Sequence, residues 1–168
     1  ASVFAHAAGM AVIGGELARS VELARETLAL ADELDLGEHR SRALDVLGWA
    51  QLETGEREGI EHLRLSVEIA ERSNALVEIE RSWNNYAAGL YQVGLVAEAH
   101  AAWEEARSAA LRIGSTAGLL WTAMARVLRR AAAADLDDTF DEVEALRAQT
   151  AEGSQTALFL RCGTAWVL

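Results

Sequence analysis

Proline is absent from all 168 residues. Proline removes a helix hydrogen bond and clashes with the preceding turn, so without it nothing opposes long helices in a chain rich in Ala, Leu, Glu and Arg. Lysine is absent too, which makes all 15 basic residues arginine and excludes a phosphate-cradling loop that ends in Lys and Ser/Thr. A single cysteine, Cys162, excludes an internal disulfide and a cysteine-rich metal site, and points to a reducing, cytoplasmic setting. No apolar run approaches the roughly 18 residues of a membrane span, and the first residues lack the basic stretch of a secretion signal. Bases are outnumbered by 26 acids, and the formal net charge of −11 disfavours a nucleic-acid partner or an anionic membrane. What remains is an apolar content of 51%, enough for one globular domain.

The main positive signal is a repeat. Gly9, Gly48, Ala87, Ala125 and Gly163 lie 39, 39, 38 and 38 residues apart. Four positions before each stands Ala5, Leu44, Trp83, Trp121 or Phe159, and one before stands Ala8, Leu47, Tyr86, Met124 or Cys162. Three after stands Val12, Gln51, Leu90, Leu128 or Trp166. These offsets share one helix face, so each copy offers an apolar stripe whose small central residue admits a neighbouring helix. Gly55 and Gly94 follow seven residues after Gly48 and Ala87, where a left-handed helix cap is expected. A second helix follows in each copy, with Val21 and Leu28, then Ile60 and Val67, then Ala99, Trp103 and Ala106 facing inwards. In copy four that helix is expected to start near Thr139, with Thr139 and Glu142 as a capping box.

The run Trp83-x2-Tyr86-Ala87-x2-Leu90, then Gly94, then Ala99-x3-Trp103-x2-Ala106 resembles a tetratricopeptide repeat (TPR). Copy two departs from it, with Arg64 where an aromatic is usual and Leu63 beside it to cover the space. The family period is about 34 residues and closes on a proline, so the extra residues here are expected to lengthen helices or joints. The resemblance implies an all-α fold, a right-handed superhelix of stacked antiparallel helix pairs with four and a half repeats and nine helices. The repeats would cover residues 1–37, 38–76, 77–115 and 116–153, with a lone helix at 154–168, in a single domain. Trp166, Val167 and Leu168 make a poor polar cap, which points to a segment of a longer array.

Chemistry-bearing motifs are missing. Gly114-Ser-Thr-Ala-Gly118 has the wrong order for a nucleophile elbow. His6, His39, His62 and His100 form no close metal-binding pair. Asp135, Asp137 and Asp141 approach a calcium loop, but Phe140 stands where Gly is needed and Leu146 where a bidentate Glu is needed. Cys162 falls on a core column. No catalytic, metal or cofactor residue is therefore expected, and the chain reads as a scaffold that binds.

In the family the first helix of each pair lines a concave groove, and the resemblance carries that role to particular positions. They are His6 and Met10, then Arg42, Asp45 and Trp49, then Arg81, Asn84, Asn85 and Tyr91, then Thr122, Arg126 and Arg129. Arginine forks and amides among aromatics suit a protein or peptide partner with an acidic or carboxylate feature. The style of the copies resembles the helical-repeat regions of large bacterial regulators, where such a segment would sense a partner. Two other readings stay open. One is a small-molecule sensor with an enclosed pocket; the other is an array that self-associates through its terminal helix.

Overall fold

The computed structural model describes residues 2–132 and, beyond them, Asp141, Glu144, Ala145 and Ala148. The second helix of copy four, the lone helix at 154–168, Asp135, Asp137 and Cys162 lie outside the described residues. Seven helices are present among the described residues: α1 (Ser2–Ile13), α2 (Leu17–Glu33), α3 (Gly37–Glu53), α4 (Gly59–Arg72), α5 (Leu76–Gln92), α6 (Val96–Ile113) and α7 (Thr116–Ala132). No strand occurs among the described residues, so the all-α class holds. Among the described residues the expected count of nine helices is corrected to seven. The other two expected helices fall past Ala132, outside the described residues.

The joints explain why the helices end where they do. Gly15, Asp35, Gly55, Asn74, Gly94 and Gly114 all adopt positive φ, between 49° and 88°. The next amide in each case, from Glu16, Leu36, Glu56, Ala75, Leu95 and Ser115, donates to the carbonyl five residues earlier at 2.8–3.1 Å. This left-handed closure satisfies carbonyls that the helix end leaves free. Its members recur every 19 or 20 residues, so the 39-residue period is two near-equal half-repeats. Helices fill most of that period: α2, α3, α5 and α7 have 17 residues each and α6 has 18, against 12 for α1 and 14 for α4.

The chain divides into two compact units, residues 1–109 and 110–168. In the first, each helix from α1 to α5 packs on the next, and α1 packs on α3 and α3 on α5. Successive helices run antiparallel, as the short joints require. Gly48 of α3 lies against Gly59 and Leu63 of α4, where any side chain on Gly48 would meet the Gly59 carbonyl at 2.6 Å and the Leu63 amide at 2.9 Å. Leu63 itself is fully buried and also reaches Gly89 of α5. Farther along, Ala87, Leu90, Ala99 and Ala102 join α5 to α6, with Trp83, Tyr86, Tyr91 and Trp103 packed around them. The second unit contains the α7 cluster of Leu120, Met124 and Val127, with Trp121 against it.

One correction concerns the register of copy one. Gly9 has open space where a side chain would stand, while Ala8 is fully buried against Ala24, Val46 and Leu47. The turn glycines Gly15 and Gly55 are 40 residues apart, so Ala8, not Gly9, corresponds to Gly48. The column is slipped by one residue because Gly15 and Gly55 lie 40 residues apart, against 39 for Gly55 and Gly94.

Candidate functional site

On α3 the residues Arg42, Asp45, Val46 and Trp49 follow the i, i+3, i+4, i+7 spacing of a single helix stripe. Arg81 and Asn85 of α5 repeat its i, i+4 spacing two helices along, and His6, Gly9 and Met10 of α1 complete the lining. Together these nine residues line a concavity of about 320 Å³. His6 and Met10 are exposed at its rim, so it opens to solvent. Below the stripe a hydroxyl network fixes α3 on its neighbours. Ser41 Oγ donates to the Ser66 carbonyl of α4 at 2.9 Å and lies 3.2 Å from Ser82 Oγ of α5, all three residues fully buried. Ser41 directly precedes Arg42 and Ser82 directly follows Arg81, so this network sets where both arginines emerge.

Three of the lining residues, Arg42, Asp45 and Arg81, form a four-charge cluster with Glu78, which does not itself line the concavity. Glu78, only 1% exposed, forms an ion pair with Arg81 three residues on and lies 3.7 Å from Arg42 Nη1. Asp45, 4% exposed, has Oδ2 4.0 Å from Arg81 Nε, and that oxygen accepts a hydrogen bond from Asn85 Nδ2 at 2.7 Å. Asp45 Oδ1 is buried and meets no donor among the described residues. Burial drives the Asp45 carboxyl up to about 6; Arg81, the Asn85 hydrogen bond and Arg42 pull it down, but not far enough to cancel the loss of water. The same burial lowers Arg81 below the usual arginine range, against the pull of Asp45.

No family model matches this chain, and no curated protein or solved structure is similar to it. What the site does must therefore be read from its own chemistry. The structure gathers His6, Arg42, Asp45, Trp49, Arg81 and Asn85 into one concavity, together with Met10. It does not gather the rest. Tyr91 turns away to α6 and packs on Trp103, ring centroids 5.7 Å apart, because it belongs to the apolar face that joins α5 to α6. Asn84 is half-buried but is not among the lining residues. Thr122 is buried and donates to the Leu119 carbonyl of its own helix at 3.1 Å, so its hydroxyl is already used. The side chains of Arg126 and Arg129 lie outside the described ones.

Glu78 was missed by sequence reasoning, and it changes the chemistry. Arg42 and Arg81 are not bare cations awaiting an anion, because Glu78 and Asp45 already face them. The signal was available: Glu78 stands three residues before Arg81 on the same stripe and in the first turn of α5, where a helix favours an acid. A second concavity, of about 310 Å³, lies beside Arg42 and is lined by Ser2, Ala5, Glu38 and His39. There Ser2 Oγ and His39 Nε2 are hydrogen-bonded at 2.8 Å. No cluster of three His, Cys, Asp or Glu able to hold a metal ion occurs among the described residues, and none of their helices is long and apolar enough to cross a membrane.

Proposed function

We propose that residues 1–109 form a binding module, of tetratricopeptide style, that takes up an extended segment of a partner protein along α1, α3 and α5. The observation that carries this reading is the concavity at Arg42, Asp45, Trp49, Arg81 and Asn85, with a polar floor and an apolar wall. Its volume stands at the low end for small-molecule sites, and such sites bury most of their ligand. A depression open at His6 and Met10 suits one side chain of a segment that continues across the surface. Arg42 lines both this depression and its neighbour, so a segment crossing Arg42 would fill the two with successive residues. Trp49, half-buried with one face toward the concavity, is the natural anchor, since aromatic residues dominate binding energy at such positions.

The test is selection from a random peptide library displayed on phage, with the Trp49→Ala protein as counter-target. Enriched peptides are expected to bind the parent protein and to lose about tenfold or more on the variant, as for a central anchor worth over 1 kcal/mol. Peptides that bind both proteins equally would place recognition elsewhere.

A further inference from the structure

A side chain on Gly48, Gly59 or Gly89 would strike a neighbouring helix, and Gly15, Gly55 and Gly94 hold the positive φ of a joint. Neither reason applies to Gly9. It lies inside α1, and a Cβ there would meet nothing within 4 Å. Glycine inside a helix is less favourable than alanine, so the fold alone gives no reason for a bare position here. What Gly9 does face is the concavity, which it lines. Ala8 corresponds to Gly48, so Gly9 corresponds to Trp49, and α1 packs directly on α3. Equivalent positions on these two helices project side by side. The indole of Trp49 therefore stands next to bare backbone, and the missing side chain leaves an open slot beside the ring. Met10, 54% exposed, borders it.

The walls select what fills the slot. Arg42 and Arg81 line the concavity but already face Asp45 and, behind it, Glu78. A ligand carboxylate or ammonium would lose its hydration there without gaining a net field. A flat ring can lie against the Trp49 indole and the backbone at Gly9 together, and aromatic pairs are favoured beyond the area they bury. Arg42, whose side chain is a third exposed, adds a cation for the face of the ring. An aliphatic side chain would use the apolar wall but neither the stacking nor the guanidinium.

We infer that the slot between Gly9 and Trp49 takes an aromatic side chain, Phe, Tyr or Trp, of the partner segment. This deepens the peptide-binding reading and rests on it. It also replaces the acidic feature that the arginines alone imply.

The experiment is a titration followed by heteronuclear NMR of the whole chain at neutral pH. The probes are short glycine peptides with a central Phe, Tyr, Trp, Leu, Glu or Lys, capped as acetyl and N-methyl amides so that no terminal charge is present. The three aromatic peptides are expected to bind about tenfold more tightly than the other three. Their ring currents should shift the Trp49 indole N–H, the Gly9 amide and the Met10 methyl. Gly9→Leu, which fills the slot from inside, should abolish that ranking without loss of stability in urea, which a packing glycine would not allow. Tighter binding of the Leu, Glu or Lys peptide, or a ranking that survives Gly9→Leu, would overturn the aromatic inference. Equal binding of all six, with Trp49 still shifting, would overturn it too but leave the peptide-binding module standing. If none moves Trp49 at millimolar concentration, both readings fall. The ranking in the unaltered protein decides the matter even if the variant does not fold.

Discussion

The fold opposes ionisation of Asp45. Its carboxyl is raised from 3.8 to about 6, with burial as the leading cause and Arg81, Asn85 and Arg42 acting against it. The folded state therefore holds the Asp45 proton more tightly than the unfolded state does. That contribution to stability is fully present below about pH 4 and is lost as pH rises through about 6, amounting to roughly 2–3 kcal/mol. Asp45→Asn keeps the shape and an acceptor for Asn85 but cannot ionise. Urea unfolding of both proteins from pH 4 to pH 7 is expected to show the variant gaining on the parent by roughly 2 kcal/mol across that window. Parallel profiles would mean that Arg81 and Asn85 compensate the buried charge in full. The stripe that holds Asp45 was reached through the tetratricopeptide resemblance, whose groove positions on the first helix of a pair fall on Arg42, Asp45 and Trp49. Glu78 was not, because an acid in a first turn reads as a solvated cap unless its burial is known. Tyr91 was misplaced for the converse reason: an aromatic fits a groove or a core equally well, and only the Trp103 contact decides between them.

At the scale of elements, the small-residue columns carried the fold, since a helix pair can approach closely only where side chains are absent. The period was readable from Gly48 and Ala87, and so was the existence of each hairpin. The one-residue slip in copy one was not, because α1 offers alanine or glycine at 5, 7, 8, 9 and 11 and any of them suits the column. Two of its six joints, Asp35 and Asn74, hide the half-repeat from a search for glycine, although both residue types tolerate the left-handed conformation. The close approaches differ in what would have to move. A methyl on Gly48 meets backbone, the Gly59 carbonyl and the Leu63 amide, as well as Leu63 Cγ. A methyl on Gly89 meets only side-chain ends, Leu63 Cδ1 at 2.6 Å, Leu52 Cδ1 at 2.9 Å and Ile60 Cδ1 at 3.2 Å. Alanine also gains helix propensity of just under 1 kcal/mol over glycine at either site. Gly48→Ala is thus expected to lose about 2–3 kcal/mol, and Gly89→Ala less than about 1 kcal/mol, in denaturant unfolding. Equal losses would show that α3 and α4 can part as easily as a leucine can rotate.

For the molecule as a whole, the governing quantity is charge. With 26 acids against 15 arginines and no lysine, the chain carries −11, and compaction brings like charges together. Two kinds of interaction respond to salt in opposite directions. Exposed pairs such as Arg64 with Glu61 and Glu68, or Arg40 with Asp32, weaken as salt rises, but pairs of this kind contribute little to begin with. The cluster of Arg42, Arg81, Asp45 and Glu78 is shielded from ions by its burial and changes little. Diffuse repulsion among the surplus acids acts over distances comparable to the Debye length of about 10 Å at 0.1 M, so it is the part that salt removes. Raising sodium chloride from about 20 mM to about 200 mM is expected to stabilise the protein by about 1 kcal/mol, seen as a rise of about 2–4 °C in Tm. Chloride and sulfate salts of equal ionic strength should agree at these low concentrations, because screening depends on ionic strength and not on the anion. A fall in Tm over the same range would mean that the surface pairs outweigh the net repulsion, and that the acids are spread so that few of them face one another.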